Sequence, residues 1–298
     1  MKLMTDGRKL LLAGVALTAC LGFALNAQAQ TCTTGNWFDV EGSPAVGKQD
    51  GDNRRYGGPC GMRVQVDGTP RYVADDSPGD EATYILRFYV FLDEAATNDP
   101  IVLFAADNDS GDTVYDASDN QIEMIYDADD SSGGSIMLSV REQDGTTWQS
   151  TSVPDVGSGW HSIEVSWARD SSTDTILNVD GGSDVQLSAD TTGIGIENAF
   201  LGVLNSVGST GFIDFDDFDS RRQERPGRLC RGLTVPETER AALDLEDVNK
   251  IFDEFASGGS RPVGGQPDYN EDGAVDLDDV NTVFSRFAGG NEDCDLNR

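Results

Sequence analysis

Residues 268 to 279 read DYNEDGAVDLDD and put oxygen-bearing side chains at Asp268, Asn270, Asp272, Asp276 and Asp279, with Gly273 in the sixth place. Carboxylates crowded so closely repel one another, and the arrangement gains stability mainly when a cation sits among them. A twelve-residue calcium loop uses side chains at its first, third and fifth places and a backbone carbonyl at the seventh. It adds a side chain or water at the ninth, an acid at the twelfth, and glycine at the sixth for the sharp turn. Asp268, Asn270, Asp272, the Ala274 carbonyl, Asp276 and Asp279 fill those places in register. Hard oxygen ligands in this number favour Ca²⁺ over Mg²⁺, which demands tighter octahedral geometry. Val275 is placed to pack inward, and Asp279 opens the following helix, where a negative charge also suits the helix dipole. One bound Ca²⁺ is therefore expected.

Catalytic chemistry has no comparable signature, and no catalytic residue or organic cofactor is assigned. His161 is the chain's single histidine. It lies on the apolar face of the strand-like WHSIEVSWA, which suits a packed residue better than a triad base. No HExxH motif is present. The acid-rich IDFDDFD, residues 213 to 219, contains no glutamate. Ile213 and Phe215 face one way there, and the doubled Asp216-Asp217 returns Phe218 to that face, which predicts a β-bulge. For binding, Trp148 in the polar run DGTTWQSTS is the candidate ligand-stacking side chain, and capping of the core edge is its alternative role. Asp107, Asp109 and Asp112 suit either a second ion or a solvated loop.

These residues must be positioned by two kinds of element. From Trp37 to Arg222 short segments alternate apolar and polar residues. In TYILRFYVFL, Tyr84, Leu86, Phe88, Val90 and Leu92 share one face, and Ile85, Arg87, Tyr89 and Phe91 share the other. QIEMIYD, SIMLSVRE, WHSIEVSWA and DTILNVD repeat the pattern, separated by turn signals such as the Asp-Gly pairs at 67, 144 and 180. Many short strands at regular spacing predict two antiparallel sheets packed face to face. After the connector RRQERPGRLCRGL the period becomes helical. LDLEDVNKIFDEF (243 to 255) and VDLDDVNTVFSRF (275 to 287) form an internal repeat. Val248, Ile251, Phe252 and Phe255 match Val280, Val283, Phe284 and Phe287, so two amphipathic helices are expected to bury these stripes against each other.

The first 30 residues pass from a basic start through an apolar stretch to AQA at 27 to 29, the pattern of a cleaved export signal. LTAC at 17 to 20 offers a second reading in which Cys20 is lipidated, the one route by which the chain would reach a membrane. Cys32, Cys60, Cys230 and Cys294 remain after cleavage, an even number that in an exported chain reads as two disulfides. Of the three pairings, Cys32 with Cys60 and Cys230 with Cys294 are favoured because each pair brackets one region. The whole chain has 21 Lys and Arg against 53 Asp and Glu, a formal charge of −32. Removing the leader, with Lys2, Arg8, Lys9 and Asp6, takes it to −34. Such a surface excludes nucleic acid as a partner and self-repels unless salt screens it.

The order YILRFYVFL, then SGWHSIEVSW leading into LNVDGG, then FLGVLNSVGSTGFIDFDDFDSRR resembles the laminin-G-like, concanavalin-like jelly-roll sandwiches. An aspartate at the twelfth loop position, valine at the eighth and a duplicated loop-helix unit resemble type I dockerins, which attach polysaccharide-processing proteins to cohesin receptors. That second resemblance implies that Leu277 and Asp278, with Leu245 and Glu246 in the first copy, help select a cohesin. The first copy departs from the pattern. Pro236, Thr238, Arg240 and Ala241 stand where the second has Asp268, Asn270, Asp272 and Gly273, so one ion is expected rather than two. The expected organisation is a signal (1–30), a mainly β antiparallel jelly-roll sandwich (31–222), a linker (223–232) and a small α-helical, dockerin-like calcium-binding domain (233–298). The function expected is extracellular, non-catalytic recognition of a carbohydrate or protein ligand with docking to a cohesin-like receptor. The alternatives are a glycoside hydrolase or polysaccharide lyase, and a surface adhesin or envelope lipoprotein.

Overall fold

The computed structural model describes residues 33–35, 37–47, 56, 61–92, 95–96, 99–111, 113–129, 133–157, 159–171, 173–205, 210–227, 245–256 and 277–289. Among them the strands are β1 (Asp39–Glu41), β2 (Ala45–Gly47), β3 (Gly61–Gln65), β4 (Arg71–Asp75), β5 (Thr83–Phe91), β6 (Ala95–Ala96), β7 (Ile101–Asp107) and β8 (Asn120–Asp127). They continue with β9 (Ser135–Arg141), β10 (Trp148–Pro154), β11 (Trp160–Ala168), β12 (Thr175–Val179), β13 (Val185–Leu187), β14 (Asn198–Val203) and β15 (Thr210–Arg221). One sheet runs β1-β4-β14-β7-β8-β9-β10 and the other β13-β12-β11-β5-β15-β3-β2, with β6 pairing on β15. Every described pairing is antiparallel. The result is the expected mainly β, two-sheet, jelly-roll-like sandwich.

Alternation in the sequence becomes the core directly. Leu86, Phe88, Ile163, Val165, Ile213 and Phe215 point between the sheets and are buried. Each such side chain contributes about 1.5–3 kcal/mol through removal from water. The turn signals also hold. Asp180 and Gly181 both take positive φ, 57° and 67°, at the link between β12 and β13. Such paired left-handed residues match the right-handed twist of a hairpin.

The second face of β5 departs from simple alternation. Ile85, Arg87, Tyr89 and Phe91 point away from the core yet are also buried. Chain outside the two sheets covers them: the Tyr56 ring stacks on Tyr89 at 3.6 Å, and Arg87 donates to the Gly227 carbonyl. The expected linker is therefore seated on this sheet at least to Gly227, whose N–H donates to Glu164 Oε2 at 2.7 Å.

Helix α1 (Leu245–Ala256) and helix α2 (Leu277–Gly289) pack against one another. Val248 and Val283 are buried between elements as expected. Phe252 and Phe284 are not: they are 49% and 50% exposed, so the buried stripe is narrower than the repeat predicts. No described helix is long and apolar enough to cross a membrane. The leader with Cys20, the cysteines Cys32, Cys60, Cys230 and Cys294, the first-copy loop and the loop residues 268 to 276 lie outside the described residues.

Candidate functional site: a cleft at the β15 bulge and a covered polar face

In β15 the sequence IDFDDFD forms the expected bulge. Its register against β5 shifts between Asp216 and Asp219, and Asp217 adopts the left-handed φ of 47°. A non-glycine residue held in that region costs on the order of 1–3 kcal/mol and persists where surrounding structure imposes it. Here a cleft of about 200 Å³ opens beside the bulge, lined by Trp37, Met62, Leu201, Phe215 and Phe218 together with Thr33, Gly61, Asp216 and Asp217. Trp37 and Phe218 lie 5.3 Å apart between ring centroids.

The two acids differ in their partners. Asp216 Oδ2 accepts the Tyr56 N–H at 2.6 Å and its Oδ1 accepts the Asp217 N–H at 2.9 Å. Asp217 Oδ2 is shielded from solvent without a hydrogen-bond partner. Burial pushes the Asp217 carboxyl up to about 6, against the lowering effect of Arg87 and with a further push from Asp219. Buried carboxyls with shifted titration concentrate at functional sites.

Beyond the bulge the outward side of this sheet carries a polar network. Arg63 and Asp214 form a two-bonded buried ion pair, both bonds 2.8 Å, while Arg63 also covers the Phe212 ring at 4.9 Å. Arg87 reaches the carbonyls of Gly227 and Asp217. Arg225 joins Glu164 to Asp184 and holds the Asp184 carboxyl below its ordinary value. Tyr56, Tyr89 and Trp160 form an aromatic group above it. The register explains the alignment, since Glu164 pairs with Arg87 and Asn178 with Glu164 across three neighbouring strands. Nothing in the local sequence pairs Arg63 with Asp214, 151 residues away, or places Tyr56 on Tyr89.

The residues singled out from sequence fall in separate places. Trp148 lies on edge strand β10, half-buried, with Arg141 stacked on its ring at 4.9 Å. His161 is buried on β11, its Nδ1 2.8 Å from Asp180 Oδ2. Its Nε2 is enclosed without a partner, so no triad is assembled on it among the described residues. Asp107 is buried where β7 ends and accepts from Asn198 at 2.9 Å and from the Asp109 N–H at 3.3 Å. Burial pushes its carboxyl up to about 7. Asp112 lies outside the described residues, and among those described no three acids, histidines or cysteines gather as a metal site. Of the calcium-loop set only Asp279 is reached, as a backbone position in α2.

Fold and site together define a two-sheet antiparallel sandwich with a covered polar face and an acid-edged cleft. No protein-family model matches the chain, and no curated protein matches it in sequence. Among solved structures, the receptor binding domain of a botulinum neurotoxin C/D mosaic serotype is similar at 7% identity and a TM-score of 0.43, over 62% of this chain and 43% of that one. An alginate lyase from Pseudomonas aeruginosa is similar at 13% identity and a TM-score of 0.41, over 55% of this chain and 82% of that one. Alginate lyase Aly36B gives 14%, 0.42 and the same coverage. Likeness at this level does not extend to activity.

Proposed function

We propose that the protein is an exported, non-catalytic recognition module whose C-terminal helix pair docks it onto a cohesin-like receptor. The observation that supports this reading is the apolar surface of the helices. Leu245 and Phe252 are 53% and 49% exposed, and Leu277 and Phe284, at the equivalent places of the repeat, are 50% each. Large apolar side chains left in solvent at matching positions of two copies are what a protein-docking surface presents. The dockerin resemblance supplies the partner class, and the loop at 268 to 279 supplies the Ca²⁺ that would hold the helix pair together. The sandwich carries the recognition role, with an extracellular glycan as ligand and Trp148 offering an aromatic face for a sugar ring.

Surface-bound cohesin, challenged with the full chain in calcium and again in chelator, tests this reading. Calcium-dependent capture is expected, and Phe252→Ser with Phe284→Ser should weaken it by about 30-fold or more, as loss of buried aromatic anchors does. Capture indifferent to both chelator and the double substitution would remove the docking role. Turnover of an acidic or neutral polysaccharide, abolished by a single Asp or Glu substitution, would replace the non-catalytic reading with a lyase or hydrolase.

A further inference from the structure

The covered polar face plays no part in helix-pair docking, and the connector lies on it as a bound peptide lies on a receptor. We propose that this face is a recognition site for an Arg-Pro-Gly turn, and that the chain's own Arg225-Pro226-Gly227 occupies it in cis as a releasable clasp. Gly227 is grasped through both of its backbone groups. Its N–H donates to Glu164 Oε2 at 2.7 Å, and its carbonyl accepts from Arg87 Nη1 at 2.8 Å. Glu164 and Arg87 stand opposite each other on β11 and β5, so one rung of the sheet supplies both halves of the grip.

Each residue of the turn is read by a different feature. The Arg225 guanidinium bonds Glu164 through Nε and both oxygens of Asp184 through Nη1, at 3.0 and 2.9 Å. Asn178, paired with Glu164 in register, steadies Asp184 by donating to its Oδ1 at 2.8 Å. Pro226 is buried, and its ring presets the backbone of the turn. Gly227 is buried at a φ of 68°, a conformation that a side chain would strain. Arginine, proline and glycine are thus each selected.

The grip is chiefly ionic, which makes it releasable. A buried ion pair returns little beyond the cost of its desolvation, and the Asp184 side chain is 42% exposed, so salt reaches the Arg225 fork. Upstream, Arg222 is anchored to Glu81 at 2.9 Å, whereas Gln223 and Glu224 are exposed and form the hinge. Release of residues 223–227 would lengthen the tether to the C-terminal helices by up to roughly 17 Å. A segment tethered this closely competes at an effective concentration in about the millimolar range or above, so a free peptide is excluded while the clasp is shut.

Hydrogen exchange on the full chain in 0.1 M and 1 M sodium chloride tests release. The Gly227 amide should exchange about tenfold faster or more at high salt, with the core amides of β11 unchanged. Isothermal titration in 0.1 M salt tests recognition, with the peptide Ac-QERPGR-amide and its arginine-lacking counterpart Ac-QEAPGR-amide as probes. Arg225→Ala empties the acidic fork and should bind the first peptide saturably, about tenfold tighter or more than it binds the second, and tighter than the unmodified chain binds either. Adding Asp184→Asn should remove that preference. Gly227 protection indifferent to salt would make the connector a fixed part of the sandwich and overturn the proposal. Equal binding of both peptides, or none, by folded Arg225→Ala would overturn it equally. Should that variant fail to fold, the salt series on the unmodified chain decides. None of these results bears on capture by cohesin.

Discussion

Asp217 leaves a signature in the pH dependence of stability. Its folded carboxyl titrates near 6, above the ordinary 3.8, because burial disfavours the charged form. The folded state therefore holds the proton more tightly than the unfolded chain. Its contribution is favourable below the ordinary value and is lost as pH rises through about 6. Denaturant titrations should show Asp217→Asn gaining on the unmodified protein between pH 4 and pH 7, by on the order of 2 kcal/mol. The Arg63–Asp214 pair behaves differently, since removing one partner strands the other. Asp214→Ala should cost about 3–5 kcal/mol in the same assay, and Arg63→Met with Asp214→Leu should recover most of it. The bulge was legible in FDDF because doubling one residue in a period-two pattern must shift the face that follows. The ion pair was not, because its partners stand 151 residues apart and only strand order brings them together.

At the scale of elements, periodicity located strands and helices well but overstated what the helices bury. An i, i+3, i+4, i+7 stripe is wider than one short partner helix can cover, and Phe252 and Phe284 are what is left outside. Phe252→Ser with Phe284→Ser should accordingly leave helicity by circular dichroism unchanged and shift Tm by less than about 3 °C, in contrast to Val283→Asp, which places a charge at a fully buried site. On β10, Trp148→Ala removes a half-buried ring from an edge strand and with it the surface on which Arg141 stacks. Thermal unfolding should register a loss of about 1–2 kcal/mol. The burial of both faces of β5 could not be read locally, since it depends on Tyr56 and Gly227 arriving from distant parts of the chain.

For the whole molecule, a formal charge of −32 makes self-repulsion the dominant long-range force. Screening shortens its reach from about 10 Å at 0.1 M salt to about 3 Å at 1 M. Calorimetry in sodium chloride should show Tm rising across that range, and a flat or falling profile would mean that the internal ion pairs outweigh the surface field. The margins of the sheets add a second protection. β1, β2 and β13 are only three residues long, and the fourth margin, β10, is rich in serine and threonine and ends in Pro154. Such borders offer little backbone for a neighbouring copy to zip onto. Copies of the chain can therefore be concentrated in solution without their sheets fusing edge to edge into fibrils.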